Sequence, residues 1–164
     1  MTALGPELSL LTRRELDAFA REVELFPDDQ SLWKTLPGVS NSAGNLARHV
    51  CGNLKHFVGA VLGGTGYVRH REQEFAAREG TRADVAAELR ETRELMGRIL
   101  PGLTPEVLEA PYPEAVGGVV PRCDRFLIHL AVHIGFHLGQ AGYVRRAVTG
   151  DSRVSGTVAV KELV

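Results

Sequence analysis

The chain has 164 residues, of which 44% are hydrophobic, so it is long enough to form one domain with a buried core. Its 19 lysines and arginines nearly balance 20 aspartates and glutamates, which argues against a nucleic-acid partner. No N-terminal targeting pattern is visible, no apolar run reaches the roughly 18 residues that a membrane span needs, and Cys51 and Cys123 lie far apart, so we expect reduced thiols in a cytoplasmic protein.

The first predicted helix runs from Glu7 to Phe26, where large apolar residues recur at mostly helical spacings. Pro27 follows it directly, and Pro37 closes the connection that comes next. We expect Trp33 to pack this connection against the rest of the protein.

The second predicted helix begins at Asn41 or Ser42, either of which can cap it, and ends at the glycine pair 63–64. It carries His49 and His56 beside an apolar surface. These two histidines are separated by about 10 Å along a helix axis, so at most one of them can bind a given metal ion directly.

The connection over residues 64–81 is rich in glycine and then strongly charged, and its length predicts a crossover along the protein or a functional loop. The third predicted helix covers Arg82 to Leu100. Residues 105–122 contain several prolines and glycines and one β-prone run, which predicts a loop with at most a short strand pair.

The fourth predicted helix extends from about residue 122 to about residue 149 and carries His129, His133 and His137 at every fourth position. These rings share one face with apolar residues, so they point into the core or an internal cleft. A metal ion is the partner that such buried imidazole pairs fit best. Because the outer two are about 12 Å apart, only His129/His133 or His133/His137 can bind one ion, and another element must complete the site.

Glycines occupy the opposite face of this helix at Gly135, Gly139 and Gly142. A glycine inside a helix costs about 1 kcal/mol relative to alanine, so we expect close approach of another helix, from this chain or from a second subunit. Together the elements predict an all-α four-helix bundle over residues 1–150, with a long crossover connection, and a C-terminal tail over residues 151–164.

Four segments carry a resemblance to a known family: LFPDDQSLW, NSAGNLARHVCGNL, RHREQEF and HIGFHLGQAGYVRRAVTG, in that order. Their order and spacing resemble the DinB-like family of damage-inducible bacterial proteins, which is unrelated to the polymerase of the same name. The resemblance implies a bundle in which one histidine of helix 2 and an HxxxH pair of helix 4 bind a divalent ion. It selects the pair just before Gly139, so the implied ligands are His49, His133 and His137.

The resemblance also implies a class of activity. Characterised relatives include thiol-dependent S-transferases and a mycothiol-dependent isomerase, and family members are often homodimers. We therefore expect a divalent ion, with zinc or nickel as first candidates and iron or manganese also compatible, that activates a low-molecular-weight thiol against an electrophilic small molecule. The alternatives are a metal-dependent hydrolase and a non-catalytic metal- or ligand-binding stress-response protein.

Five polar residues are candidates for catalysis or for support of the metal ligands: Asn45, Asn53, Arg69, Arg71 and Gln140. The two asparagines flank His49 by one turn on each side and could equally be a cap or a rim contact. The two arginines could clamp a carboxylate of the thiol or substrate, although a salt-bridge lattice with Glu72 and Glu74 is favoured slightly. Gln140 could support His137 or Tyr143.

The remaining histidines and the cysteines are predicted to be structural. We expect His56 and His129 to be buried hydrogen-bonding residues rather than ligands. Cys51 should point away from the metal because it lies about 200° around the helix from His49. Cys123, although it lies near a helix N-terminus, is expected to pack in the core.

Overall fold

The computed structural model describes residues 4–155 and 160–163. Within these residues every regular element is a helix, and there is no β-strand. The α-helices are α1 (Leu4–Glu24), α2 (Asp29–Leu32), α3 (Ala43–Leu54), α4 (Arg71–Ala76), α5 (Arg82–Ile99), α6 (Pro105–Glu109) and α7 (Cys123–Thr149). A π-helical segment, Lys55–Leu62, continues α3, and short 3-10 turns cover Leu100–Gly102 and Val160–Leu163. The predicted all-α class is confirmed.

The four long helices form a ring around one apolar core. Helix α1 packs against α5 and α7, and α3 packs against the same two helices from the other side. The centre is filled by large side chains that are almost completely buried, among them Leu16, Phe19, Leu54, Leu89, Met96 and Leu127. The predicted four-helix bundle is therefore present, and the crossover from α3 to α5 runs through α4. None of the described helices is both long and apolar enough to span a membrane.

The connections contain more regular structure than the sequence predicted. Short helices α2, α4 and α6 lie where we expected irregular chain. The predicted strand pair before the last helix is only two isolated antiparallel bridges, Pro111 with Arg122 and Val116 with Val119. Two bridges without a ladder reflect the prolines and glycines of this segment, which remove backbone donors and favour tight turns.

The glycine face of α7 is covered in part by α1, since Gly142 is buried and Gly139 is exposed. A Cβ added at Gly139 would meet no atom within 4 Å, and one at Gly142 would meet only side chains, with Glu22 Oε1 at 3.5 Å. Within the described part of the chain, α1 therefore comes close to α7 at Gly142, whereas Gly139 is exposed with no neighbouring element against it. Approach by a second subunit stays a prediction.

A buried ion pair fastens the C-terminal segment to the bundle. The side chains of Arg145 and Glu22 are 0% and 3% exposed, and the guanidinium Nε of Arg145 donates to Glu22. The same guanidinium donates to the backbone carbonyls of Asp151 and Arg153. Arg21 Nε reaches the carbonyl of Ser155 at 2.9 Å. The tail, which had no predicted structure, is thus held along α1 and α7 as far as residue 155.

We expect Arg145→Met to lower the free energy of unfolding by about 3–5 kcal/mol, because it leaves the Glu22 carboxylate buried without a partner. Urea denaturation measures this change. Arg90→Met is the matched control, since Arg90 and Glu24 are 49% and 46% exposed and such a surface pair contributes about 1 kcal/mol or less. Equal losses in the two variants would contradict this account, and Glu22→Leu added to Arg145→Met should restore much of the loss.

Candidate metal centre

His49 lies on the face of α3 that packs toward α7. The helix begins at a capping box in which the Ser42 hydroxyl accepts from the Asn45 backbone N–H at 3.2 Å and the Asn45 amide oxygen accepts from the Ser42 backbone N–H at 3.1 Å. This cap fixes where the helix starts, and His49 follows two turns later. Its side chain is buried, with 7% of the residue exposed.

His133 and His137 lie side by side on α7, one turn apart. Both are half-buried, because they stand at the edge of the helix face that enters the core. The core side of that face is formed by Leu130, Ile134 and Leu138, which are buried. The α7 pair therefore faces the contact with α3, and one side of it remains open to solvent.

The inner nitrogens of the three rings converge on one point. His133 Nε2 lies 3.0 Å from His137 Nε2 and 3.4 Å from His49 Nε2. Ligand atoms from all three residues lie within 4.8 Å of one another. Nitrogens that bind one ion tetrahedrally at about 2.1 Å are about 3.4 Å apart. The packing of α3 on α7 thus gives nitrogen separations that suit a single ion.

The outer nitrogens of two of the rings have acceptors that fix their tautomer. His49 Nδ1 donates to Glu74 Oε2 at 2.9 Å. His137 Nδ1 donates to Gln140 Oε1 at 2.8 Å. Because the hydrogen of a neutral ring is then on Nδ1, each Nε2 presents its lone pair to the centre, which is the form that binds a metal.

Asn53 supplies the corresponding group for the third ring. It is 8% exposed, and its amide nitrogen lies 3.4 Å from His133 Nδ1. Its Oδ1 is buried and has no hydrogen-bond partner in the described residues. A half-turn of the amide brings Oδ1 to His133 Nδ1–H and satisfies both groups, so Asn53 is suited to hold the metal-binding tautomer of His133.

Glu74 is held rigidly in place by Arg69 and by the shape of α3. The guanidinium of Arg69 donates two hydrogen bonds to the carboxylate, of 2.7 and 2.8 Å. The carboxylate also lies directly against Gly52, where a Cβ would come within 2.0 Å of Glu74 Oε1. A glycine three residues after His49 is therefore what allows Glu74 to reach the ring.

Asn45 holds α4, and with it Glu74, against α3. It is completely buried, and its amide nitrogen donates to the backbone carbonyls of Glu74 at 3.0 Å and of Ala77 at 2.8 Å. These bonds also satisfy carbonyls at the C-terminal end of α4. Of the two sequence interpretations of Asn45, the structure matches the helix cap, and the residue acts on the site only through α4.

The electrostatics of the site favour the neutral forms of His133 and His137 and an ionised Glu74. Burial, reinforced by the neighbouring His137 and His49, lowers the pKa of His133 to about 3. Burial also lowers the pKa of His137, although the hydrogen bond with Gln140 opposes the shift. Burial alone would raise the pKa of Glu74, but hydrogen bonds from Arg69 and His49 outweigh it and leave that pKa lowered.

The donor set fits a divalent metal ion. Three neutral nitrogens point at one centre, each outer nitrogen faces a polar side chain, and the site combines a buried side with an open side. Such three-histidine sets leave at least one coordination position free, as catalytic zinc sites do. The three residues could hold an ion, whereas their assignment as ligands remains a prediction.

His56, in the π-helical segment after α3, and His129, on α7, lie outside this cluster. His56 is half-buried and bonds to Glu114 at 2.8 Å, which agrees with a hydrogen-bonding role. The prediction that His129 is buried is wrong, because this residue is exposed. Residues four positions apart on a helix are displaced by about 40° around its axis. His129, one turn before His133, therefore lies outside the face that enters the core.

The two arginine candidates differ in their surroundings. Arg69 is engaged by Glu74, which matches the predicted salt bridge and leaves Arg69 little freedom to clamp a ligand. Arg71 is exposed and stacks at 5.1 Å over Phe75, whose ring lies 4.7 Å from that of His49.

Cys51 and Cys123 are both buried. Burial raises the pKa of Cys51 to about 12 and also raises that of Cys123, so neither thiol is an active nucleophile.

Fold and site together define a helical-bundle protein with a candidate three-histidine metal centre. The family model of the DinB superfamily matches residues 11–141, which include α3 and α5, most of α1 and α7, and the three histidines. The chain therefore belongs to the DinB superfamily. No curated protein and no solved structure matches the chain.

Two residues that support the site, Glu74 and Gly52, were not predicted to do so from the sequence. Glu74 was assigned to a loop lattice, and Gly52 had no predicted role. The segment RHREQEF did contain a signal, because Arg69 and Glu74 are five residues apart on either side of a short helical turn. Their link to His49 could not be read from the sequence, since it depends on how α4 docks on α3.

We expect Gly52→Ala to weaken zinc binding about 10–100-fold, since the new methyl group displaces Glu74 from His49 and the loss of such outer partners has effects of this size. Isothermal titration calorimetry of metal-stripped protein measures the affinity. Stability should also fall, because the displaced carboxylate loses buried hydrogen bonds from Arg69, and the gain of about 1 kcal/mol from alanine in a helix offsets only part of this loss.

Gly135→Ala is the matched control for this substitution. A Cβ there would meet only Glu15 Oε2, at 3.9 Å, so zinc affinity should equal that of the wild type. Glu74→Gln should reproduce much of the Gly52→Ala effect, since it keeps the shape and removes the charge. Unchanged affinity in both Gly52→Ala and Glu74→Gln would contradict the role assigned to Glu74.

Proposed function

We propose that His49, His133 and His137 bind one divalent ion and that the protein is an enzyme transferring a low-molecular-weight thiol to an electrophilic small molecule. The observation that carries this proposal is the convergence of three Nε2 atoms at 3.0–3.4 Å, with the rings supported from outside. When bound, an ion with three neutral ligands keeps its full charge and lowers the pKa of a thiol or water.

The surroundings of the histidines favour a thiol over water as the nucleophile. Attack by water on a stable substrate commonly uses a free carboxylate or histidine as general base. Glu74 is the carboxylate that bonds to this cluster among the described residues, and it is already occupied by Arg69 and His49. The neighbouring histidine, His129, is exposed, with its ring centre 6.0 Å from that of His133. A thiol, whose pKa is much closer to neutrality, needs no such base once that pKa is lowered.

Arg71 is the residue that we assign to thiol recognition. It is exposed, has no ion pair with a described residue and stands over Phe75 beside His49. A guanidinium in this position can form a two-point contact with a carboxylate of the thiol. Zinc and nickel are the first candidates for the ion, with iron and manganese next, because imidazole ligands suit all four.

We infer a cytoplasmic location from the thiol chemistry. Both cysteines are free, and reducing compartments are where free thiols persist.

Turnover assays test the proposed activity. Protein loaded in turn with Zn²⁺, Ni²⁺, Fe²⁺ or Mn²⁺ should consume 4-nitrobenzyl chloride in the presence of glutathione, cysteine or mycothiol at least about tenfold faster than the uncatalysed reaction. His133→Ala should abolish this rate and His129→Ala should preserve it. Turnover without thiol would instead support the hydrolase, and tight metal binding without any turnover would support the non-catalytic stress-response protein.

Arg71→Gln should raise the KM for a thiol that carries a carboxylate about tenfold or more, since the loss of a charge-assisted contact costs about 1.5–3 kcal/mol. Steady-state kinetics with glutathione measure the effect. Mercaptoethanol, which has no carboxylate, is the internal control and should show an unchanged KM. A rise with both thiols would show that Arg71 does not recognise the carboxylate.

We also propose that the protein forms a homodimer through α7. An exposed apolar stripe runs along this helix and consists of Ile128, Val132, Phe136 and Tyr143, which are 46%, 66%, 60% and 75% exposed, with the exposed Gly139 between the last two. In an antiparallel pair centred between Phe136 and Gly139, each Phe136 ring faces the partner's Gly139 and each Val132 faces the partner's Tyr143. Each large side chain then lies opposite a small residue or a flat ring, which gives a complementary surface. The same stripe is used by both subunits, as in an isologous interface.

Phe136→Ser should convert a dimer into a monomer in size-exclusion chromatography with light scattering, because it removes the central contact of the stripe. Val120→Ser is the control, since Val120 is 56% exposed but lies in the loop before α7. A wild-type protein that is monomeric at high micromolar concentration, or a Phe136→Ser variant that stays dimeric, would contradict this interface.

A further inference from the structure

A groove near the candidate metal centre differs in character from four other grooves of the surface. It has a volume of about 380 Å³ and is lined by the loop residues 38–41 together with Leu46, Gln140, Tyr143 and Val144. None of these residues carries a charge. The four other surface grooves all contain both arginine and an acidic residue.

The groove is linked to the histidine cluster through one shared residue, Gln140, on the outer side of His137. Gln140 lines it and also accepts the hydrogen bond from His137 Nδ1. Leu46 lies one turn before His49 on α3, and Val144 lies two turns after His137 on α7. The groove is thus the continuation of the same α3–α7 contact that brings the imidazoles together.

Its floor is apolar and its rim carries polar groups without partners. Leu46 and Val144 form the floor and are 4% and 6% exposed. The Ser40 hydroxyl, the Asn41 amide and the amide nitrogen of Gln140 form no hydrogen bond with any described residue, so they are free to bond to a ligand. An apolar surface with a few polar groups is the usual lining of a small-molecule site, and the volume lies within the range of about 300–1,000 Å³ typical of such sites.

We propose that this groove binds the electrophile of the reaction and that the electrophile is an uncharged, partly apolar small molecule. This rests on the proposed function in one respect only, namely that the molecule bound here is the one attacked. A charged group in the groove would lose water without gaining an ion partner, which is unfavourable. The thiol would then approach past Arg71 and the electrophile past the loop of residues 38–41, so that the outer face of Tyr143 remains available to the proposed dimer.

Two probes of the same shape and different charge test the ligand class. Wild-type protein, loaded with Zn²⁺, should bind 4-nitrobenzyl alcohol at least tenfold more tightly than 4-nitrobenzoate in equilibrium dialysis. Val39→Asp should weaken binding of the alcohol tenfold or more, because it adds a charge at the rim, where Val39 is 38% exposed and can be changed without disturbing the core. Val120→Asp, in the loop before α7, should leave binding unchanged.

Further measurements distinguish a failure of the groove proposal from a failure of the proposed reaction. In His49→Ala the alcohol should still bind, because His49 does not line the groove; binding there without metal would uphold the groove even if the proposed reaction failed. Equal affinity for both probes, or no effect of Val39→Asp, would overturn the proposal. Binding seen only in Phe136→Ser would also overturn it, since the groove would then be covered by the second subunit.

Discussion

The close packing of three imidazole rings at the contact between α3 and α7 is the constraint on which the rest of the site depends. Their outer nitrogens are satisfied by Glu74, by Gln140 and, after a half-turn of its amide, by Asn53. Their inner nitrogens are left facing one another at 3.0 and 3.4 Å. Lone pairs this close repel unless a proton or a cation lies between them, and the low pKa of His133 disfavours the proton.

The residues around the three histidines maintain this geometry. Arg69 fixes Glu74, Gly52 gives the carboxylate room, and Asn45 ties α4 to α3. A buried carboxylate beside neutral ligands also increases their donor strength. The neutral groove does not contain the exposed Arg71, which lines a separate charged groove, and this agrees with two substrates of different charge.

Much of the fold and part of the site could be predicted from the sequence. The four long helices follow from apolar periodicity and from proline and glycine stops, and the HxxxH pair of α7 is a local pattern that helical geometry interprets directly. The contacts of His49 with Glu74 and of Gly52 with Glu74 could not be predicted, because they join residues through the docking of α4. His129 was wrongly expected to be buried, since spacing alone does not show where a rotating stripe leaves the core.

The measurement that tests the central claim most directly is the metal content of untagged protein by elemental analysis. About one ion per chain is expected in the wild type and in His129→Ala, and a large loss is expected in His49→Ala, His133→Ala and His137→Ala. A wild-type protein that carries no metal and takes up none on addition of Zn²⁺ or Ni²⁺ would contradict the account. The histidine cluster would then be a polar contact between helices, and the proposed thiol chemistry would have no basis.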